Sequence, residues 1–204
     1  MDISLYLFDI YKSEGYAERD IPKLILENNL YGLDIDDRAG QLAYFAVMMK
    51  ARSKSRRIFG EELDLNICSI QETNGLPEEA IHFFFSSGDT DLRGDVEYLI
   101  EIFHDAKEYG SILEVKRVDF DAIEKRLDEI RRDDAKALDK EADYREVILA
   151  RIPPLVKQAR IMSQKYDVVC TNPPYMGRRG MNSQLSKFAS ECYPHSKLDL
   201  FAMF

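Results

Sequence analysis

Four consecutive residues, Asn172-Pro173-Pro174-Tyr175, have the types and spacing that methylation of a conjugated amino group requires. Such a nitrogen is a poor nucleophile because its lone pair is delocalised into the π-system. The Asn172 side-chain carbonyl and the Pro173 backbone carbonyl can each accept one amino hydrogen, which directs the lone pair toward a methyl donor. The two prolines make the loop rigid, since each ring fixes φ and neither residue has an N–H. Tyr175 offers a flat face on which a flipped base can stack.

The alternative interpretation of these four residues is a plain proline turn after a strand. A match to Asn, Asp or Ser followed by Pro-Pro and an aromatic residue arises by chance in roughly 1% of chains of this length. The apolar run directly before the motif, Tyr166–Cys170, predicts a buried strand and makes coincidence rarer. The pattern therefore favours a catalytic role for the motif, including Pro174.

Two earlier strand ends carry residues that could bind a nucleotide cofactor. Asp34 ends the first short apolar run, and a carboxylate in that position can take both ribose hydroxyls through its two oxygens. Ile35 could flank the cofactor adenine or simply fill the core. Gln71 and Glu72 follow the apolar run Leu63–Ile70 and could contact the base amino group, although a role in the turn is an equal alternative.

The elements that would position these residues alternate between strands and helices. Strands are predicted at Leu30–Asp34, Leu63–Ile70 and Tyr166–Thr171, and we expect them to be neighbours in one parallel sheet. A helix from Arg38 to about Lys54, which Asp36 can cap, is apolar almost all round and should pack on that sheet. We therefore predict a doubly wound α/β fold, in which ligands bind beyond the carboxyl ends of the strands.

Two helices are predicted ahead of the first strand. Ile3–Tyr11 is apolar at helical and adjacent spacings, which indicates a largely buried helix. The second helix opens at Asp20, has Pro22 in its first turn and runs to Asn28-Asn29.

The middle of the sequence is rich in charges of both signs. Helical patterns occur there at Asp95–Tyr109, Asp119–Arg132 and Asp143–Ile152. We interpret residues 73–165 as a helical insertion between two parts of the core, residues 1–72 and residues 166–204. Pro153-Pro154 is expected to end the last helix of the insertion. The charged faces are interpreted as solvated rather than as a partner-binding coiled coil.

The overall charge of −9 is opposite in sign to that of a protein held to nucleic acid by bulk charge. A DNA substrate would therefore need a local basic patch. One candidate just after the four-residue motif consists of Arg178, Arg179, Lys187 and Lys197, although an ordinary solvated loop is at least an equal alternative.

The cysteines and histidines have no metal-ligand spacing, and three widely separated cysteines argue against a disulfide framework. No apolar run is long enough to cross a bilayer, and the N-terminus lacks the basic region of a signal peptide. We therefore expect a cytoplasmic globular protein without a metal.

Several stretches can be compared with a known family. They are Leu30–Ala39, Gln41–Ala43, Met48–Arg52, Phe103–Ser111, Asn172–Gly177 and Tyr193–Phe204. Together they resemble the PglX family, the adenine-specific DNA methyltransferases of the BREX phage-defence systems. The likeness extends over nearly the whole chain. The four-residue motif is typical of amino-methyltransferases in general, whereas the combination of stretches is typical of this family.

The resemblance implies S-adenosylmethionine as cofactor, adenine in duplex DNA as substrate, and a partial Rossmann-like methyltransferase sheet. It implies that Asp34 binds the cofactor ribose, that Asn172 and Pro173 hold the target amino group, and that Tyr175 stacks the flipped adenine. Other proteins of the defence complex would be further partners.

The sequence departs from the family at its start, where it lacks the Gly-rich strand-to-helix turn that precedes the helix corresponding to Ile3–Tyr11. We therefore expect an internal piece of a longer protein that is inactive on its own. Two other functions stay open. The same motif serves protein-glutamine and RNA-guanine methyltransferases, and the charged helices would also suit a non-catalytic interaction module. The long insertion and the run Leu30–Arg38 favour DNA.

Overall fold

The computed structural model describes residues 3–85, 90–132 and 139–204. Its α-helices are α1 Ile3–Ser13, α2 Ile21–Asn28, α3 Asp37–Lys54, α4 Glu78–Phe84, α5 Thr90–Ile102, α6 Ala106–Tyr109, α7 Phe120–Arg132, α8 Asp139–Met162 and α9 Ser183–Cys192. The strands are β1 Tyr31–Asp34 and β2 Asn66–Ser69, and short 3-10 helices cover Ile58–Gly60, Gly110–Ile112 and Leu200–Met203. No helix of the described part of the chain is long and apolar enough to cross a membrane.

A β1-α3-β2 unit forms the centre of the N-terminal part. The two strands are parallel, with Tyr31 opposite Asn66 and Asp34 opposite Ser69. Helix α3 begins where the Asp36 carboxylate accepts hydrogen bonds from the backbone N–H groups of the first turn. The predicted cap, the helix and both strands are therefore confirmed, although each strand is shorter than the apolar run that predicts it.

Helix α3 packs on the strands through one face only. A Cβ at Gly40 would meet the side chain of Ser69, so the helix and β2 lie in close contact. The opposite face carries Leu42, Phe45 and Met49, which are largely exposed. The all-round apolar pattern thus predicts the packing on the sheet correctly, but half of that pattern faces outward in the described structure.

Helix α1 is present, but it is not the largely buried helix that its sequence predicts. Tyr6 and Ile10 are each more than half exposed, since α1 packs mainly against α2. The side chains of residues 3–5, which also contribute to the predicted pattern, lie outside the described ones.

Helices α4 to α8 pack together and form the main hydrophobic core. Its largest fully buried side chains include Phe84, Phe103, Ile123, Ile148 and Val156. A buried amide joins this helical layer to the sheet. Gln158 of α8 is fully buried, accepts from the backbone N–H of Gln71 at 2.6 Å, and donates to the Gln71 carbonyl at 2.9 Å. Helix α8 therefore holds the backbone at Gln71, just after β2, in place.

The prediction that Pro153-Pro154 ends a helix is wrong, because α8 continues through both prolines to Met162. Interior prolines remove hydrogen bonds and usually break a helix. Here the apolar face of α8 stays buried on both sides of them, with Ile152 and Leu155 among the core residues. Packing against α4 and α7 outweighs the local cost.

The prediction of a strand at Tyr166–Thr171 is also wrong. In the described structure this segment has no ladder hydrogen bonds, and Val168 and Val169 are 69% and 74% exposed. The ring of Tyr166 nevertheless lies 5.0 Å from that of Tyr31 at the start of β1. The described residues contain one parallel sheet of two strands rather than the three neighbouring strands expected from the sequence.

Candidate active site

A cavity of about 600 Å³ lies beyond the carboxyl end of β1. Its lining residues come from three parts of the chain that are far apart in sequence: the end of β1, the insertion, and the segment that begins with Cys170. Asp34 and Asn172 both line this cavity. The volume is within the range of small-molecule pockets, about 300–1,000 Å³.

Asp34 and Ile35 form the β1 side of the cavity. One carboxylate oxygen of Asp34, Oδ1, accepts the backbone N–H of Asp36 at 2.8 Å. This bond orients the carboxylate at the strand end, while Asp36 itself caps α3. Ile35 is partly exposed and approaches Gly110 of the insertion, where a Cβ would come within 2.9 Å of its Cδ1 atom.

The motif loop forms the opposite side. Asn172 is exposed and lines the cavity, and Pro173 beside it is buried. The backbone N–H of Met176 donates to the Pro174 carbonyl at 2.9 Å, which closes a tight turn. Among the described residues, neither the Asn172 amide nor the Pro173 carbonyl has a hydrogen-bond partner. Both acceptors that the sequence singles out are therefore free to bind an amino group.

Tyr175 lies at the rim rather than inside the cavity. Its side chain is 85% exposed and stacks on Phe201, with ring centroids 5.7 Å apart and an interplanar angle of 13°. Met176 and Gly177 are held in turn by the C-terminal segment, since the N–H of Leu200 donates to the Met176 carbonyl and Gly177 forms an antiparallel bridge with Asp199.

Gln71 and Glu72 do not line the cavity. The side-chain amide of Gln71 donates to Asp37 at 2.9 Å, and its backbone is held by Gln158. The Glu72 carboxylate accepts the backbone N–H of Lys107 at 2.9 Å. Both residues are thus engaged in contacts that join β2, α3 and the insertion.

The basic residues of the predicted DNA patch are all exposed. Arg178 and Arg179 occupy the turn between Met176 and Gly180, two residues that line the cavity, so the backbone of both arginines lies next to it. Lys187 is on α9, which follows the same turn.

The structure adds a third wall that sequence patterns did not reveal, namely Lys107, Glu108 and Tyr109 of α6. The Lys107 ammonium forms an ion pair with Asp37 at 3.0 Å. Hydrogen bonds from Lys107 and then Gln71 hold the pKa of Asp37 below its ordinary value, so this carboxylate is ionised at neutral pH. The resemblance over Phe103–Ser111 was the available signal, but it assigned no role to these residues.

One protein family and two known proteins are similar to this chain in sequence. Residues 28–204 match the Eco57I restriction-modification methylase family. The chain is 41% identical over 215 residues to the adenine-specific methyltransferase BrxX of Escherichia coli O9:H4 (strain HS), covering 96% of this chain and 18% of that protein. It is 36% identical over 211 residues to the adenine-specific methyltransferase PglX of Lacticaseibacillus casei (strain Zhang), covering 99% of this chain and 17% of that protein.

The chain therefore belongs to the Eco57I restriction-modification methylase family. The likeness to the PglX family that the sequence stretches indicate is confirmed by both relatives. The chain spans less than a fifth of the length of each relative.

Proposed function

We propose that this chain contributes the catalytic cavity of an S-adenosylmethionine-dependent DNA adenine-N6 methyltransferase in a phage-defence system of the BREX type. The observation that carries the proposal is that Asp34 and Asn172 open into one cavity. A ribose-binding carboxylate and an amino-binding amide belong together only in a site where cofactor and target meet.

The cavity suits S-adenosylmethionine in size and in the chemistry of its lining. Asp34 would hold the ribose hydroxyls through its carboxylate, one oxygen of which is already oriented by the Asp36 N–H. Ile35 would contact the adenine of the cofactor through its exposed apolar surface. The bound cofactor would supply an electrophilic methyl group on its sulfonium.

Asn172 and Pro173 would activate the target nitrogen. Their two carbonyl oxygens, which have no other partner among the described residues, would each accept one hydrogen of the adenine amino group. These bonds strengthen as positive charge develops on the nitrogen, so they stabilise the transition state more than the ground state. The rigid prolines keep both acceptors in place.

The target adenine would reach this position by leaving the duplex. Tyr175 at the rim has a largely exposed ring for stacking the flipped base, and Phe201 supports the other side of that ring. Arg178 and Arg179 next to the cavity would contact the DNA backbone, with Lys187 nearby, which supplies local attraction despite the overall negative charge.

For Gln71 and Glu72 we propose the turn role that the sequence left open, because their side chains are already engaged with Asp37 and Lys107. We further propose that β1 and β2 belong to a larger doubly wound sheet of the methyltransferase type. A protein that methylates cellular DNA would act in the cytoplasm, with other proteins of the defence system as partners.

The test is transfer of tritiated methyl groups to duplex DNA, RNA and protein by a protein of the relatives' length that contains this chain, followed by digestion to identify the labelled product. N6-methyladenine from DNA is expected. Asn172→Ala should lower the rate about 100-fold, as for loss of one transition-state hydrogen-bond partner. Asn28→Ala, which changes an exposed asparagine of α2, should keep the wild-type rate. Label in RNA or in protein glutamine, or full activity of Asn172→Ala, would refute the proposal.

A further inference from the structure

Residues 172–204, which include the proposed catalytic loop, are attached to the rest of the protein mainly through the insertion. The segment before the loop has no ladder bonds to β1 in the described structure. Residues 176–178 pair with residues 198–200, so this contact stays within the same part of the chain. The position of Asn172 in the cavity must therefore depend on how this part is held from outside.

A small hydrophobic cluster provides one attachment. Ile112 of the insertion packs with Leu185 and Leu200, and its carbonyl accepts the Tyr193 hydroxyl at 2.6 Å. Apolar contacts of this kind are not directional. The hydrogen bond from Tyr193, just after α9, adds a directional contact to this cluster.

Two carboxylates of the insertion supply directional contacts at the first turn of α9. Glu108 Oε2 accepts the side-chain N–H of Asn182 at 2.6 Å, and Asp105 Oδ2 accepts that of Gln184 at 2.6 Å. The Asn74 side-chain amide in turn donates to Asp105 Oδ1, and this hydrogen bond is the largest cause of the lowered pKa of the Asp105 carboxyl. It stays ionised at neutral pH as a fixed anchor.

Glu108 has the more direct connection to the loop. The Asn182 amide that donates to Glu108 also caps α9, because its Oδ1 accepts the backbone N–H of Leu185 at 2.8 Å. Glu108 and the Leu185 N–H therefore hold this amide from its two ends at the start of α9. Glu108, Asn182 and Asn172 all line the same cavity.

We propose that Glu108 is a positioning residue for methyl transfer: through Asn182 it sets the place of the loop that carries Asn172. This inference rests on the proposed function. Glu108 makes no contact with the reacting groups in the proposal, so its effect is exerted through geometry. A misplacement of about 1 Å in a catalytic group can lower a rate by about 100-fold.

The experiment uses the protein of the relatives' length that contains this chain. It measures the single-turnover rate of methyl transfer at saturating DNA and cofactor and, separately, the cofactor affinity. Glu108→Ala should slow the transfer step about tenfold or more, while cofactor affinity changes by less than about threefold. Glu108→Gln keeps an oxygen for Asn182 and should restore most of the rate. Glu141→Ala, at an exposed glutamate of α8, serves as the matched control.

A second variant tests the route. Asn182→Ser retains a helix-capping oxygen but is too short to donate to Glu108. If Glu108 and Asn182 act through one hydrogen bond, their effects should not add. The rate of the Glu108→Ala/Asn182→Ser double variant should then lie within about twofold of the rate of the slower single variant. Hydrogen exchange of the Leu185 amide should become faster in Glu108→Ala and stay slow in Glu108→Gln.

The outcomes separate the two proposals. A wild-type protein of the relatives' length that transfers no methyl group to adenine would refute the proposed function. Active wild type and impaired Asn172→Ala, together with full transfer by Glu108→Ala, would refute the positioning role alone. A lower unfolding midpoint of Glu108→Ala with an unchanged transfer rate would assign Glu108 to stability only and also overturn the inference.

Discussion

Gly110 of the insertion lies against Ile35 at the end of β1, so closely that a Cβ on the glycine would come within 2.9 Å of the isoleucine Cδ1 atom. The φ of Gly110 is +64°, in the left-handed region where an L side chain is strained. This contact seats the insertion on the β1 side of the cavity.

Gly110→Ala is expected to destabilise the fold by about 1–2 kcal/mol, because it adds both backbone strain and a clash. It should also weaken cofactor binding by displacing Ile35. Gly94→Ala is the matched control: this residue is in helix α5 with open space around it and should stabilise by about 0.5–1 kcal/mol. Urea unfolding and cofactor titration of both variants measure these effects. Equal stability of Gly110→Ala and wild type would contradict the contact.

Thiol labelling offers a probe of the cavity that does not depend on activity. Burial raises the pKa of Cys68 to about 11, so very little of this thiol is ionised at pH 8 and it should react slowest. Its labelling rate should rise with pH until about 11. Cys170 and Cys192 are exposed, but only Cys170 lines the cavity.

S-adenosylmethionine should therefore slow alkylation of Cys170 and leave Cys192 unaffected, as measured by mass spectrometry of the labelled peptides. Cys192 is the internal control for general effects of the cofactor on the reagent. Equal labelling of Cys170 with and without saturating cofactor would exclude this cavity as the cofactor site.

The turn that contains Arg178 and Arg179 should supply part of the salt-dependent affinity for DNA. Removing both side chains by substitution with alanine is expected to reduce the slope of log affinity against log salt by about 1 per arginine. Arg56 and Arg57 are an exposed pair that does not line the cavity, and the next residue, Ile58, packs with Leu65 just before β2. Their alanine variant should retain the wild-type slope in anisotropy titrations with a short duplex. If both double-alanine variants lost the same amount of slope, the salt-dependent affinity for DNA would not come from the turn with Arg178 and Arg179 in particular.

Local signals in the sequence predict the β1-α3-β2 unit well. Asp36 caps α3 through its own side chain and the neighbouring N–H groups, so residues adjacent in sequence determine where the helix begins. The position of Asp34 is predictable for a similar reason, because the apolar run that forms β1 ends at this residue. Such features need no knowledge of the rest of the fold.

The errors concern elements whose state depends on distant partners. Val168 and Val169 have strand-like sequence, but a strand also needs a neighbour to complete its ladder. Pro153 and Pro154 are helix breakers by themselves, and only the packing of α8 on α4 and α7 explains why the helix continues. The wall formed by Lys107 and Glu108 was likewise missed. These residues are brought to the cavity by contacts with residues far away in the sequence, such as those of Lys107 with Asp37 and Glu72. Contacts of this kind leave no periodic pattern in the sequence.

In the proposed site, Asp34 and Asn172 divide two tasks between them, cofactor binding and activation of the target nitrogen. The most direct measurement of this division is a paired determination of cofactor dissociation constant and single-turnover transfer rate to adenine in duplex DNA, for Asp34→Asn and Asn172→Ala. Asp34→Asn should raise the dissociation constant about tenfold or more, since it weakens a charge-assisted hydrogen bond, and should leave the rate at saturating cofactor nearly unchanged. Asn172→Ala should lower the rate about 100-fold and leave the dissociation constant within about threefold of wild type. An unchanged dissociation constant in Asp34→Asn, or an unchanged rate in Asn172→Ala, would contradict the division of tasks.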